Sequence, residues 1–389
     1  MVTLQSAENA LKTVYLGVIS NQLNTNANPL LTKIKQSTND VWGKEIKKVA
    51  PFGINGGIGA GTENGSLPTA AANNYKQFTT TLKNLYGTIE ISDKAVRASQ
   101  NNAGAFVNLL NAEMDGLIKA SSYNLGRMLY GDGSGKLSTV VSVSGASVTV
   151  STVKPLIEGL VVDCYTEEGE EIAELHGARI VSIDRASKTI TLNKTTSSDS
   201  FVAGCYFTVQ GSKDNEITGL GQIFKTTGDL YGIDRESNKW LVPYMKESAG
   251  AISDSLLQEA IDTLEEESGS TVDFITCASN VKRMYIDYLS SFKRNIDVME
   301  LAGGHKAITF NGVPVVSDKF IEDGEAYLLN TKDFTFHQLC DWKWLEGEDG
   351  KVIKQKAGYP AYYATLVKYG DLICDRPKGQ AKISGITAE

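Results

Sequence analysis

Residues 103–137 read "AGAFVNLLNAEMDGLIKASSYNLGRMLYGDGSGKL". Phe106, Leu109, Leu110, Met114, Leu117, Ser121, Leu125 and Met128 recur at helical spacing. The spacing predicts one long helix, capped by Asn101 or Asn102 and roughly 40 Å long from Ala103 to Tyr130. It runs into "YGDGSGK" (residues 130–136), which has the vocabulary of a phosphate-binding loop. The match fails on position and on polarity. In the Walker pattern G-x-x-x-x-G-K-[ST], anchoring Gly135 and Lys136 puts Tyr130 at the first glycine and Leu137 at the magnesium-binding hydroxyl. A phosphate loop leads from a strand into a helix, whose amide end faces the anion. Here the helix comes first and offers its carbonyl end, which repels phosphate. Ser134 is also one place too late for a G-x-S-x-G nucleophile elbow. The stretch therefore reads as a turn, with Gly131 placed for a C-cap and Lys136 exposed where the chain changes direction.

Upstream, residues 1–49 read as an arm. They end in a modestly basic piece with Lys33, Lys35, Lys44, Lys47 and Lys48 set against Asp40 and Glu45, a solvated face in which Val41, Ile46 and Val49 mark a strand. Residues 50–74, "APFGINGGIGAGTENGSLPTAAANN", hold too few large apolar side chains for a core of their own. "GGIGAG" echoes a dinucleotide fingerprint, but "TENGSLP" follows it where a helix is required. Residues 75–92, "YKQFTTTLKNLYGTIEIS", alternate: Phe78, Thr80, Leu82, Tyr86 and Thr88 on one side, Thr79, Thr81, Leu85, Ile89 and Ile91 on the other. One continuous strand there would span roughly 55 Å. The expectation is a long two-stranded projection with a glycine-rich tip. Such a projection is barely stable alone and needs a surface to lie on, for which another subunit is the candidate.

Downstream of the helix, "LSTVVSVSGASVTV", "GLVVDCYT", "GARIVSID", "KTITLNK" and "CYFTVQG" are short strand-like runs. They suggest a small β-barrel or sandwich inserted at residues 138–217. An acidic run within it, from Glu158 to Glu174, reads as a solvated strand edge and loop, with a calcium site as the alternative. Two amphipathic helices follow. One has Leu256, Leu257, Ala260, Ile261 and Leu264 inward. The other has Val281, Met284, Tyr285, Tyr288 and Leu289 inward, with Ser279 as cap. The remainder is mixed and ends in a long strand. The fold class is α+β.

Composition narrows function. The formal net charge of −8 argues against gripping a nucleic-acid backbone. The five cysteines, Cys164, Cys205, Cys277, Cys340 and Cys374, are far apart and lack a CxxC pair, as expected of isolated thiols in a reducing compartment. No apolar run is long enough to span a membrane, and no secretory signal is recognisable. His176, His305 and His337 lie far from one another and from any cysteine, so short metal-ligand spacing is missing. Carboxylate pairs such as Asp229 with Asp234, or Asp371 with Asp375, are too common to carry meaning. No catalytic, cofactor-binding or metal-binding residue is assigned, and an enzyme is not expected. An arm, an oversized loop, a long helix and abundant strand surface instead suit a protein that interlocks with copies of itself.

The order of these elements resembles the HK97-like major capsid proteins of tailed bacteriophages. Residues 52–96 are similar to that family's extended loop and returning strand. "NLGRMLYGDGSGKL" resembles its spine helix and the turn after it. "NEITGLGQIFKTTGDLYGIDRESNKWLVP" resembles a peripheral-domain segment, "FNGVPVVSD" an axial-domain hairpin, and "ATLVKYGDLICDRPKGQAKISGI" the strand returning to the peripheral domain. The resemblance implies an arm at 1–49, an extended loop at 50–91, a peripheral domain at 92–137 and 218–300, the inserted β domain at 138–217, an axial domain at 301–350, and a return to the peripheral domain at 351–389. It implies a non-enzymatic structural protein of the virion capsid, assembled in the host bacterial cytoplasm. It would form hexamers and pentamers of an icosahedral shell around double-stranded DNA, with a separate scaffolding protein and a portal. The alternatives are the shell of a cellular encapsulin-like storage compartment and, behind it, an adhesin or tail-associated β protein. Self-contact candidates are Trp42 on the arm and Phe52, Leu67, Tyr75, Phe78 and Tyr86 on the extended loop, since bulky side chains on projecting segments need partners.

Overall fold

The computed structural model describes residues 28–94, 103–195, 199, 201–291, 298–300, 306–347 and 350–388, with the side chains of 103–112, 298–300 and 306 outside it. The expected cap at Asn101 or Asn102, His305, most of the arm and the side chains of Phe106, Leu109 and Leu110 lie outside the described residues.

The first strands are β1 (Lys35–Ser37), β2 (Val41–Trp42), β3 (Glu45–Phe52), β4 (Asn74–Thr81) and β5 (Lys83–Ser92). The long helix α1 (Ala103–Met128) comes next. Then β6 (Lys136–Ser144), β7 (Ser147–Val150), β8 (Val161–Tyr165), β9 (Ala178–Asp184), β10 (Thr189–Leu192) and β11 (Tyr206–Val209) close a barrel in the order β10-β7-β6-β11-β8-β9. A single helical turn, Leu220–Ile223, leads to β12 (Asp229–Leu230), β13 (Ile233–Asp234), β14 (Tyr244–Lys246) and β15 (Gly250–Ala251). Helix α2 (Asp254–Ser268), β16 (Phe274–Cys277) and helix α3 (Ser279–Ser291) follow. The last strands are β17 (Val298–Glu300), β18 (Lys306–Phe310), β19 (Val313–Ser317), β20 (Ala326–Leu329), β21 (Phe334–Trp344), β22 (Lys354–Gln355), β23 (Ala361–Cys374), β24 (Ala381–Ile383) and β25 (Ile386–Thr387).

Two larger sheets lie outside the barrel, alongside smaller two- and three-stranded ones. A seven-stranded sheet runs β14-β24-β20-β16-β19-β18-β17. In it Asn311 (φ 50) and Gly312 (φ 80) join β18 to β19, both in the left-handed region that a tight two-residue hairpin requires. Helices α2 and α3 bury Leu256, Leu257, Ala260 and Leu264, and Val281, Tyr285 and Leu289. Ser253 caps α2 by accepting from the Leu256 amide at 3.1 Å, and Gly269 ends it at φ 60. Ser279 is the first residue of α3 rather than the residue before it. The second sheet centres on β23, which pairs with β21 on one side and with β5 on the other, from Ala361↔Ser92 to Gly370↔Lys83.

Residues 75–92 are not one strand. The run breaks at Leu82, and the buried side changes there: Phe78 is buried in β4, whereas Leu85, Ile89 and Ile91 are buried in β5. A strand shows alternate residues to one face, so even and odd positions can both turn inward only if the chain twists between them. β4 pairs with β3 in a separate sheet, β2-β3-β4, and β5 joins β23.

The barrel has a core of its own, built on Val148, Val162, Leu175, Ile180, Ile190 and Phe207. A second, larger core joins β5, α1, α2, α3 and both sheets. The architecture is α+β with an inserted, closed small barrel.

Candidate assembly surface

The β3–β4 hairpin carries the most exposed segment. The strands pair from Glu45↔Thr81 to Phe52↔Asn74, and residues 53–73 continue beyond them with neither helix nor strand. A structureless loop of that length inside one domain is uncommon and is usually functional. It doubles back on itself. A Cβ on Gly57 would sit 3.1 Å from the Ala71 amide nitrogen, and one on Gly59 would sit 3.1 Å from Pro68 Cγ. The tip turns where Gly65 donates to the Thr62 carbonyl at 3.0 Å. Its glycines thus let two arms run close together. Glu63 is the one charged residue in the segment. Ile54 (77%), Ile58 (75%) and Leu67 (90%) stand open to solvent on it. Three bulky apolar side chains on a projecting, nearly uncharged loop are what a covering partner would bury.

The root of the hairpin is held firmly. Phe52 stacks on Trp240 at 5.1 Å, and Phe78 lies 6.0 Å from Trp240 and 5.2 Å from Tyr231. The Thr79 amide donates to the Tyr231 carbonyl at 2.9 Å, and Lys48 Nζ reaches Asp375 at 2.7 Å. Thr80 Oγ1 donates to Asp371 at 2.8 Å.

Trp42 (69% exposed), Leu67, Tyr75 and Tyr86 stand on the surface, where a partner can reach them. Phe78 does not: it is fully buried against its own chain, and Phe52 is half-buried on Trp240. Bulk on a projecting segment suggests contact residues, but these two rings anchor the projection to its own chain. Val49, Ile54 and Ile58 add exposed apolar surface to the same hairpin, and an isoleucine among glycines is a signal visible in the sequence.

At the other end of α1, Tyr130 and Gly131 donate to the Arg127 and Met128 carbonyls, both at 3.1 Å. Gly131 keeps an ordinary φ, so the expected left-handed cap lies elsewhere: Gly133 (φ 84) and Gly135 (φ 78) make the turn. The Leu220 amide donates to the Leu129 carbonyl at 2.7 Å, which occupies one of the helix end's free acceptors. Asp132 accepts from the Ser134 amide at 3.1 Å and from Lys225 at 3.1 Å, and it titrates below the usual aspartate range. Burial alone would raise it; the Ser134 and Lys225 donors outweigh that. Lys136 is exposed, with its ammonium 5.0 Å from the Tyr206 ring. This end of the helix is occupied by the protein's own groups.

Groups that could do chemistry are tied into structure. Four of the five cysteines are buried and Cys340 is half-buried. Burial pushes the Cys277 thiol up to about 12 and raises Cys164 and Cys374 as well, away from the reactive thiolate. Asp229 and Asp234 face each other across β12 and β13, where Asp234 caps Glu236 and Ser237. Asp371 is wholly buried, accepting from Thr218 N at 2.6 Å, Thr218 Oγ1 at 2.9 Å and Leu372 N at 2.9 Å in addition to Thr80. His337 is a buried strand residue bonded to the Asn39 carbonyl. His176, in contrast, meets two carboxylates, Asp163 and Glu171, which its distance from other histidines and cysteines in the sequence did not show. Asp163 is buried rather than part of a solvated edge. Among the described residues, no helix is long and apolar enough to cross a membrane.

No protein-family model matches the sequence, nor does any curated protein. Solved structures do. A chain of the cyanophage A-1(L) capsid asymmetric unit is similar over 97% of this chain and 93% of its own, with a TM-score of 0.54 and 13% identity. The capsid of the empty GTA particle matches over 93% and 90%, with a TM-score of 0.48 and 10% identity. The SrpI encapsulin of Synechococcus elongatus PCC 7942 matches over 82% and 80%, with a TM-score of 0.43 and 10% identity. The likeness to the cyanophage chain is one of fold, nearly end to end. The protein has an HK97-like fold, shared with that cyanophage chain, with a small barrel inserted after the long helix.

Proposed function

We propose that the protein is a structural, non-enzymatic subunit that assembles through hexamers and pentamers into the icosahedral capsid of a tailed bacteriophage, enclosing double-stranded DNA. The carrying observation is the projecting loop at residues 53–73, with Ile54, Ile58 and Leu67 in solvent, on a fold shared with a cyanophage capsid chain. Ordered burial of those side chains needs a second copy, and the anchored root at Phe52 and Phe78 makes the loop a positioned lever rather than a tail. In this reading residues 1–49 clasp neighbours as an arm, and the loop region at 50–91 lies across the adjacent subunit. Residues 92–137, 218–300 and 351–389 form the peripheral domain, and 301–350 meet at the capsomer centre. The net charge of −8 suits a wall that encloses a polyanion without adhering to it. A separate scaffolding protein and a portal complete the assembly, in the cytoplasm of the bacterial host.

Electron microscopy of the purified protein tests the reading directly. Closed shells or capsomers are expected, and a strict monomer under every assembly condition would reject it. Limited proteolysis adds a local check: cleavage within residues 55–72 is expected in free subunits and suppressed in shells, and equal cleavage in both would remove the loop from the interface. Native particles should protect double-stranded DNA from nuclease. Shells filled with a protein cargo instead would turn the reading towards a storage compartment.

A further inference from the structure

At one end of the barrel, β8 meets the segment that leads into β9. His176 Nδ1 lies 2.6 Å from Glu171 Oε1 and 3.2 Å from Asp163 Oδ1. One imidazole nitrogen thus faces two carboxylates, although its single proton can serve only one of them at a time. The three ligand atoms lie within 4.8 Å of one another. This is more than a solvated ion pair, because Asp163 is 1% exposed and held in place. Its Oδ1 accepts from the Gly177 amide at 2.8 Å and its Oδ2 from the Gly211 amide at 2.8 Å. Lys194 Nζ donates to the His176 carbonyl at 2.5 Å and fixes the backbone behind the ring. On the far side of the ring, the Gln210 amide group stands 3.4 Å from His176 Nε2.

We propose that Asp163, Glu171 and His176 form a binding site for a divalent transition-metal ion of the Zn2+ class. Zinc holds nitrogen and oxygen ligands at about 2.0–2.2 Å in tetrahedral geometry, so ligand atoms sit about 3.3 Å apart. The His176–Asp163 separation already matches. The exposed Glu171 side chain needs to withdraw by about 0.7 Å from His176 to match as well. One nitrogen and two oxygens suit zinc and its neighbours; calcium and magnesium prefer oxygen alone. On binding, the proton leaves Nδ1 and the ring carries its proton on Nε2 instead. Gln210, after a flip of its amide, offers an oxygen there, the supporting hydrogen bond that metal-bound histidines use. Water fills the remaining coordination on the open side. The ion would pin β8 to the segment before β9 and so fasten that end of the barrel.

The test uses the full-length protein, stripped with chelator and titrated with ZnCl2 by calorimetry. One saturable site is expected, with affinity reduced at least tenfold in His176→Ala and in Glu171→Gln. Both positions are exposed, so each variant should keep the wild-type circular dichroism. Zn2+ should raise the melting temperature of the wild type and of neither variant, and Mg2+ should raise none. Co2+ in place of Zn2+ should give visible absorption bands that both variants lose. Absence of saturable Zn2+ binding would overturn the proposal, as would binding that both variants retain.

Discussion

Gly219 shows how much one hydrogen can matter. A Cβ there would lie 2.3 Å from the Met128 carbonyl oxygen, 2.4 Å from that of Gly131 and 2.8 Å from that of Leu129. All three are backbone atoms at the end of α1, so no side chain can swing aside. Gly219→Ala should cost about 3 kcal/mol, the upper end of overpacking, measured by urea denaturation. Gly116, on the open face of α1, has nothing within 4 Å of its Cβ position. Gly116→Ala should stabilise by about 0.5–1 kcal/mol, the helix-propensity difference. The sequence displays both glycines equally. That one is indispensable follows from an approach between residues ninety or so positions apart, which no local pattern encodes. Asp371 supplies a pH-dependent prediction. Burial raises it above the ordinary 3.8, against the lowering effect of its Thr218, Thr80 and Leu372 donors. The native state therefore binds this proton more tightly than the unfolded chain. Its contribution to stability is full below pH about 3.8 and declines as pH rises through the raised folded value. Asn is nearly isosteric: its oxygen can keep the Thr218 and Leu372 amides, and both threonine hydroxyls can reverse to accept from its NH2. Asp371→Asn should remain folded and flatten that decline. Denaturation midpoints at several pH values between about 4 and 7 check this, and identical pH slopes for both proteins would refute it.

The hairpin is the element where local pattern and tertiary context part company. Alternation in residues 75–92 is real and does mark strand. It suggested one long strand because period two persists across Leu82 in the composition, while the buried side does not. Strand β5 is then claimed by β23, and β4 by β3, two partners far apart in sequence. Phe78 looked like a contact residue for the same reason: its neighbours Tyr231 and Trp240 arrive from a segment beyond the barrel. The projecting loop was legible because its glycines and missing core residues are local facts. The two ends of the hairpin should accordingly respond in opposite ways. Phe78→Ala empties a fully buried position and should cost about 3–5 kcal/mol in the isolated subunit. Leu67→Ala, at a residue 90% exposed, should leave subunit stability within about 0.5 kcal/mol of wild type. It should instead slow or weaken assembly, read by light scattering. A Leu67→Ala subunit that assembles at the wild-type rate and concentration would exclude Leu67 from the interface.

At the scale of the molecule, the barrel is attached rather than interleaved. Its core is separate from the main core. Its first and last strands, β6 and β11, pair directly, with Lys136 opposite Thr208, so the chain enters and leaves one strand spacing apart, about 5 Å. Polar contacts tie it to the rest: Tyr123 Oη donates to the Lys154 carbonyl at 3.1 Å, Lys154 Nζ reaches the Ile321 carbonyl at 2.8 Å, and Lys83 Nζ reaches that of Asp214 at 2.9 Å. Short strands without an intervening helix made the insertion readable in sequence as a small barrel or sandwich; the choice between the two rests on the β6–β11 pairing, which joins its two most distant strands. An element joined at neighbouring points, with its own core, should be separable. Replacing residues 138–207 with a short Gly-Ser link should leave the remaining chain folded and able to form shells. Residues 136–210 alone should give a cooperative thermal transition. Destruction of the main fold on deletion would mean that the barrel supplies core to it, contrary to the separation of the two clusters. Loss of shells with the fold intact would place the barrel in the assembly contacts instead.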